Sequence, residues 1–271
     1  MDHPRLRPIA LAIALTALLC AAPARAHDTW FAPLPAQAPG SVALALGTGN
    51  HFPVQESGIE ARYLVHSGCR HDPAGPVIAL QPIGNSATAL ALHVKSASAQ
   101  PLSCWAQTSA FDVVLEPSKI AVYLKDIQAS ASVREAWARM SARGVPWQER
   151  YTKHARIELQ PGASAAAPVE MAMDVLFEAP ARTPRSGDAL QFRVLRDGRP
   201  LPDFAVELRG DRSPIGLWSK TDAEGRVRFT APLPGRWVVR GTDLRVSDSE
   251  PDLWVSRFVT LAFDVAAVQR D

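Results

Sequence analysis

Short apolar runs separated by turn residues dominate the chain from residue 41 onwards. Runs of this length, bounded by Gly, Pro, Asn and Ser, are typical of antiparallel strands in a β-sandwich. The pattern therefore predicts a mainly β fold. In the first half the predicted strands are Ser41–Leu46, Ala61–His66, Val77–Leu80, Ala87–Val94, Phe111–Leu115, Ile120–Leu124 and Tyr151–Leu159.

One short helical insertion interrupts this pattern at residues 130–143. Val133, Trp137 and Met140 recur at helical spacing, and Gly144 follows as a stop signal. Ser132 is the predicted cap of this helix. The spacing places Trp137 in the core.

The second half has a clearer strand–turn–strand pattern. Leu190–Leu195, residues 197–200 and Phe204–Leu208 predict a strand, a tight turn and a second strand, and Trp254–Val265 is the last strand. Roughly seven strands in about 100 residues are typical of an immunoglobulin-like or transthyretin-like sandwich. Its tryptophans, Trp218, Trp237 and Trp254, are predicted to lie in the core.

Two β-sandwich domains after an export signal are the predicted organisation. Arg5 and Arg7 precede an apolar run from residue 9 to 20. Ala24 and Ala26 then occupy the two small-residue positions of an A-x-A signal-peptide cleavage site. The predicted parts are a signal peptide (1–26), an N-terminal sandwich (27–165) and a C-terminal sandwich (166–271), with a linker at 161–168. Because the apolar run is short for a bilayer span, we expect a periplasmic protein that is not integral to the membrane.

Charge and cysteine content narrow the range of possible functions. Lys and Arg total 29 and Asp and Glu total 27, and removing residues 1–26 leaves 26 of each sign. A neutral chain without a basic stripe does not favour nucleic acid as a partner. Cleavage also removes Cys20, so Cys69 and Cys104 are predicted to form one structural disulfide.

The candidate metal ligands begin with His27, which cleavage makes the first residue. A terminal histidine offers its α-amine and an imidazole nitrogen to one metal ion, and such nitrogen donors favour Cu(II) and Ni(II), then Co(II) and Zn(II). His51, in a glycine-rich loop, is the second predicted ligand, and Asp28 is a predicted acceptor that orients the His27 ring. The third ligand stays open among the remaining histidines: His66, His71, His93 and His154.

Sequence signatures of catalysis are missing. The chain has no G-x-S-x-G, no P-loop and no H-E-x-x-H. We therefore expect a protein that is not an enzyme.

The sequence resembles a family of exported bacterial proteins that carry a domain of unknown function and are often labelled periplasmic components of nickel/cobalt uptake. One departure is Arg156, where the family usually has lysine. The segments that carry the resemblance are His27-Asp-Thr-Trp-Phe31, Gly49-Asn-His-Phe-Pro53, the E-x-Y-x-x-x-A-K-like stretch Glu149–Arg156, Asp197–Pro200, Thr221–Gly225, Pro234–Trp237 and Phe258–Val265.

This resemblance implies a periplasmic protein with two β-domains that binds nickel or cobalt, first through His27 and then through His51, and serves a membrane metal transporter. Two alternatives stay open. One is a metal-free structural or interaction module, which explains the β pattern without any histidine. The other is a copper enzyme that uses an N-terminal histidine brace for oxygen chemistry.

Overall fold

The computed structural model describes residues 28–36, 38–96, 101–160, 167–178 and 182–268. These residues form 17 strands and two α-helices, so the mainly β prediction is confirmed. The predicted signal peptide, residues 1–26, and His27 lie outside the described residues.

The elements follow one another along the chain with the helices in the middle. The first half contains β1 (Asp28–Leu34), β2 (Ser41–Gly49), β3 (Ser57–Gly58), β4 (Leu64–Arg70), β5 (Gln81–Asn85), β6 (Leu90–Lys95), β7 (Leu102–Thr108), β8 (Phe111–Leu115), α1 (Pro117–Asp126), α2 (Ala131–Ala142) and β9 (Trp147–Leu159). The second half contains β10 (Met173–Phe177), β11 (Ala189–Arg196), β12 (Arg199–Pro200), β13 (Ala205–Gly210), β14 (Leu217–Lys220), β15 (Arg226–Thr230), β16 (Gly235–Val246) and β17 (Leu253–Val265).

Three sheets are built from these strands. The first has the order β1-β2-β6-β5, with β3 added to β2. The second has the order β10-β11-β12, with β15 also pairing with β11. The third runs β14-β13-β16-β17-β9-β7-β4, with β8 also pairing with β9.

The third sheet joins the two predicted halves. β17 pairs in parallel with β9, from Leu253 opposite Gln148 to Phe263 opposite Glu158. Both strands are covered on both faces, which explains why β17 reads as a nearly continuous apolar run. The predicted boundary between 165 and 166 falls in a stretch, 161–166, outside the described residues and stays a prediction.

Separate hydrophobic cores fill the spaces between the layers. One lies between the first sheet and strands β4, β7 and β9, and a second lies between the second sheet and strands β13, β16 and β17. The third lies under the helices, where Trp147 and Trp254 stack with ring centroids 4.7 Å apart. Burying an apolar side chain of this kind contributes roughly 1.5–3 kcal/mol.

The helical region differs from the prediction in two ways. Ile120–Leu124, predicted as a strand, lies inside α1, where Ile120, Tyr123 and Leu124 form its buried face. Five consecutive apolar residues do not distinguish a strand from a buried helix, whereas Pro117 in the first turn favours the helix. The insertion at 130–143 contains α2, but Ser130 rather than Ser132 caps it, accepting a hydrogen bond from the amide of Val133 at 3.3 Å.

Two further differences concern single features. In the predicted strand Val77–Leu80, only Ile78 pairs, through an isolated bridge to Cys69. Trp237 and Trp254 are buried as predicted, but Trp218 is 36% exposed because β14 is an edge strand of the third sheet.

The predicted disulfide between Cys69 and Cys104 is confirmed. The two residues lie directly opposite each other on β4 and β7, with their Cα atoms 4.0 Å apart, and both are fully buried. Such a bond is typical of proteins outside the cytoplasm. Among the described residues, no helix is long and apolar enough to cross a membrane.

Candidate functional site

The end of the β1–β2 ladder brings two of the predicted site residues to the same place. Asp28, the first described residue, pairs with Gly49 at the end of β2, so His51 lies two residues beyond this pair, in the loop that follows β2. His27 immediately precedes Asp28 and lies outside the described residues. The antiparallel register therefore places the His51 loop beside the point where the chain enters β1.

A tight loop presents His51 to solvent. The amide of Val54 donates to the carbonyl of His51 at 2.8 Å, and the His51 side chain is exposed. Gly49 is required at the start of this loop, because a Cβ there would lie 2.2 Å from the carbonyl oxygen of Val54 and 2.9 Å from the Trp30 ring. The glycine-rich motif identified in the sequence thus has a packing cause.

Arg240 fixes the start of β1 from the other half of the chain. Its guanidinium binds the carboxylate of Asp28 at 2.7 Å, the carboxylate of Glu207, and Asp126 at 3.3 Å. The ring of Trp218 covers it, with the guanidinium carbon 5.6 Å from the ring centroid. Burial opposes the positive charge, but the three carboxylates outweigh this effect and raise the pKa of Arg240.

Glu149 forms a second buried polar group in the same part of the molecule. Its carboxylate accepts hydrogen bonds from Tyr123 at 2.8 Å, from Trp147 at 2.8 Å and from Ser256. Burial raises the pKa of Glu149, and these donors partly oppose the rise. Burial, followed by the nearby carboxylate, raises the pKa of Tyr123 well above its ordinary value.

Lys153, on β9, is a cation that is influenced by Asp28. It is buried, and its ammonium lies 5.5 Å from the centroid of the Tyr151 ring. Burial lowers the pKa of Lys153 to about 8, although the charge of Asp28 acts in the opposite direction. The charge of Asp28 thus acts on a buried, titratable amine.

A small cavity of about 10 Å³ adjoins Asp28, which is room for about one water molecule. The indole N–H of Trp30, one of the wall residues, is buried and has no acceptor among the described residues. The complete lining is Asp28, Trp30, Asn50, Phe52, Arg209, Val238 and Arg240.

The remaining histidines do not join this site. His66 accepts a hydrogen bond from the Trp105 indole at 3.1 Å, and His71 contacts the carbonyl oxygen of Pro101 at 2.7 Å. His154 is buried, which lowers its pKa to about 4. Within the described ranges there is no group of three or more His, Cys, Asp or Glu side chains able to hold a metal ion.

Sequence reasoning did not identify Arg240, Lys153 or Glu149 as site residues. Lys153 and Glu149 lie in the Glu149–Arg156 motif, where several charged residues interrupt an otherwise strand-like segment, and this density of charge is the available signal. Arg240 carried no local signal, because it is separated from Asp28 by 212 positions in the chain.

The sequence profile of a family described as "Domain of unknown function (DUF4198)" matches residues 24–242. The chain belongs to this family. Both Asp28 and Arg240 fall within the matched region, so the ion pair that fixes the start of β1 is contained in the DUF4198 unit. No curated protein matches this DUF4198 protein.

Proposed function

We propose that this DUF4198 protein binds a divalent transition metal ion, nickel or cobalt, through the α-amine and imidazole of His27, with His51 as a further ligand. It acts as a non-enzymatic accessory to metal uptake outside the cytoplasm, and a membrane metal transporter is its partner. Copper is the alternative ion that the same nitrogen donors accept.

The observation that carries this proposal is the register of β1 and β2. Because Asp28 is paired with Gly49, the start of β1 and the exposed side chain of His51 belong to the same end of the hairpin. A ligand set that combines the chain start with His51 therefore needs no rearrangement of the strands.

Asp28 supports the proposal through its fixed position. Its ion pair with Arg240, at 2.7 Å, holds the first peptide unit after His27 and limits where the amine can lie. In the proposed site Asp28 orients the His27 ring, and the third ligand is a water molecule or a group from the partner.

The proposed chelate predicts a pH dependence. A free α-amine has a pKa of about 7.7–8.0, and metal binding displaces its proton. We therefore expect the apparent affinity to increase between about pH 6 and 8 and to level off above that range.

Calorimetric titration of Ni(II), Co(II), Cu(II) and Zn(II) tests the proposal with three proteins: the chain that starts at His27, the same chain with one alanine added before it, and His51→Ala. His93→Ala, a change in β6, is the matched control. We expect the added residue to abolish tight binding, His51→Ala to weaken it at least about tenfold, and His93→Ala to leave it unchanged.

Tight binding that survives the extra residue would refute the amine–imidazole site. Absence of binding by all four ions would instead favour the metal-free interaction module. A strong preference for copper, together with peroxide formation from ascorbate by the copper-loaded protein, would favour the histidine-brace oxidase.

A further inference from the structure

A cleft of about 450 Å³ separates α2 from the second half of the chain. This volume lies within the range of small-molecule sites. The cleft shares no lining residue with the cavity beside Asp28 and contains none of the predicted metal ligands. Its lining is Ile127–Ser130, Ser132, Val133, Ala136, Leu201–Ala205, Lys220, Thr242–Val246 and Trp254.

One wall of this α2 cleft is apolar. Val133 and Ala136 face it from consecutive turns of α2, and Leu244 faces it from β16. Trp254 forms part of the wall and is held flat against Trp147, with an interplanar angle of 11°. The Trp254 indole N–H is buried and lacks an acceptor within the described part of the chain. This wall fits an apolar, preferably aromatic, group.

The other wall carries hydrogen-bond donors and charged residues of both signs. Ser130 and Ser132 lie at the start of α2, where the helix dipole presents partial positive charge. Lys220 and Arg245 also line the cleft. The Lys220 ammonium is paired with Asp203 at 2.8 Å and Arg245 with Asp243 at 2.9 Å, and both aspartates also line the cleft.

Arg245 also connects the α2 cleft to a second, arginine-rich cleft. This second space, of about 350 Å³, is lined by Arg196, Arg199 and Arg245 with Asp197 as the acidic residue. Asp243 accepts from both Arg196, at 3.0 Å, and Arg245, at 2.9 Å. Arg199 has no ion-pair partner among the described residues. Positive charge is therefore in excess where the two clefts meet.

We propose that the α2 cleft binds a small amphiphilic anion, a carboxylate or sulfonate attached to an apolar ring or short chain. The apolar body packs against Val133 and Ala136, in front of the buried Trp254, and the acidic group binds Arg245 at the junction with the arginine-rich cleft. A neutral ligand of the same shape lacks the ion pair, and a cation is repelled at the junction.

Fluorescence titration with 8-anilinonaphthalene-1-sulfonate, an aromatic sulfonate, tests this inference on the full mature chain. N-phenyl-1-naphthylamine, which has the same rings without the sulfonate, is the neutral comparison probe. We expect saturable binding of the sulfonate at one site and at least about tenfold weaker binding of the neutral probe, since a charge-assisted hydrogen bond contributes about 1.5–3 kcal/mol.

Two substitutions on α2 locate the site. Ala136→Phe fills the cleft and is expected to abolish saturable binding, whereas Ala138→Phe, on the exposed face of the same helix, leaves it unchanged. Ser132→Trp at the exposed rim gives a second blocking variant that does not disturb the core, in case Ala136→Phe fails to fold. Near-UV circular dichroism identifies a variant that has lost its native packing.

Arg245→Gln tests the anionic end separately. It should weaken sulfonate binding about tenfold and leave the neutral probe unaffected. Equal binding of both probes, unchanged binding after Ser132→Trp, or loss of binding in Ala138→Phe would each overturn the inference. Because no metal ion is present in these titrations, their outcome is independent of the proposed function at His27.

Discussion

Replacing Glu158 with glutamine should make the protein more stable at neutral and alkaline pH. Glu158 is buried on β9, accepts a hydrogen bond from Ser103 at 2.7 Å, and lies 3.7 Å from a guanidinium nitrogen of Arg156. Burial raises its pKa from 4.5 to about 7, an effect that Arg156 and Ser103 only partly oppose, because Arg156 is held by both oxygens of Asp174 at 2.8 and 2.6 Å.

The sign and size of the effect follow from this raised pKa. Between pH 4.5 and 7 the folded protein retains a proton that the unfolded chain has released, so the free energy of unfolding decreases as the pH rises. At 1.36 kcal/mol per pH unit, the rise to about 7 corresponds to a loss of about 3 kcal/mol above pH 7. Glutamine carries no charge and avoids this loss, and its side-chain oxygen can still accept the hydrogen bond from Ser103.

Urea unfolding followed by tryptophan fluorescence from pH 4.5 to 8 measures the prediction. Glu158→Gln and the original protein should be similarly stable at pH 4.5, and the variant should be more stable by about 3 kcal/mol at pH 8. Glu135→Gln, on the exposed face of α2, is the control and should not alter the profile. If Glu158→Gln instead destabilises the protein at pH 8, the carboxylate is stabilised as an ion by Arg156 and the burial argument is wrong.

Three other substitutions test the buried contacts by the same unfolding measurement. Arg156→Lys should lower the free energy of unfolding by about 2 kcal/mol, because lysine cannot make the two parallel hydrogen bonds to Asp174. An unchanged unfolding midpoint would show that one hydrogen bond suffices. Arg240→Met should lower the free energy of unfolding by about 3–5 kcal/mol, since it leaves the buried carboxylate of Asp28 without its ion-pair partner and Glu207 with Arg209 alone. A smaller loss would mean that water replaces the guanidinium. Replacing both Cys69 and Cys104 with serine should lower the free energy of unfolding by about 3–4 kcal/mol for a loop of this length. Reduction of the disulfide in the original protein should have the same effect.

Local patterns in the sequence predicted most strands, α2 and the disulfide, because each of these depends on neighbouring residues or on a cysteine pair. β1 was not predicted as a strand, since the segment Asp28–Leu34 follows the predicted signal peptide without turn residues and contains Pro33. Ile120–Leu124 was assigned to the wrong element because an apolar run of this length fits either structure.

The polar groups of the candidate site were harder to predict because their partners are distant in the chain. Asp28 and Arg240 are 212 positions apart, and Ser256 and Glu149 are 107 apart. Neither pair leaves a repeat or a spacing that a single sequence reveals. The charged residues of such pairs resemble solvent-exposed residues of a strand until the fold brings them together.

These long-range contacts bear on whether the two predicted sandwiches are separate units. A fragment that ends at residue 165 loses β17, so β9 loses the strand with which it pairs in parallel over most of its length. It also separates Asp28 from Arg240 and Arg156 from Asp174, which leaves buried charges without partners in both halves. The match to DUF4198 includes all four of these charged residues. We infer that the position of the chain start, and with it any site built on His27, depends on the second half of the protein being folded.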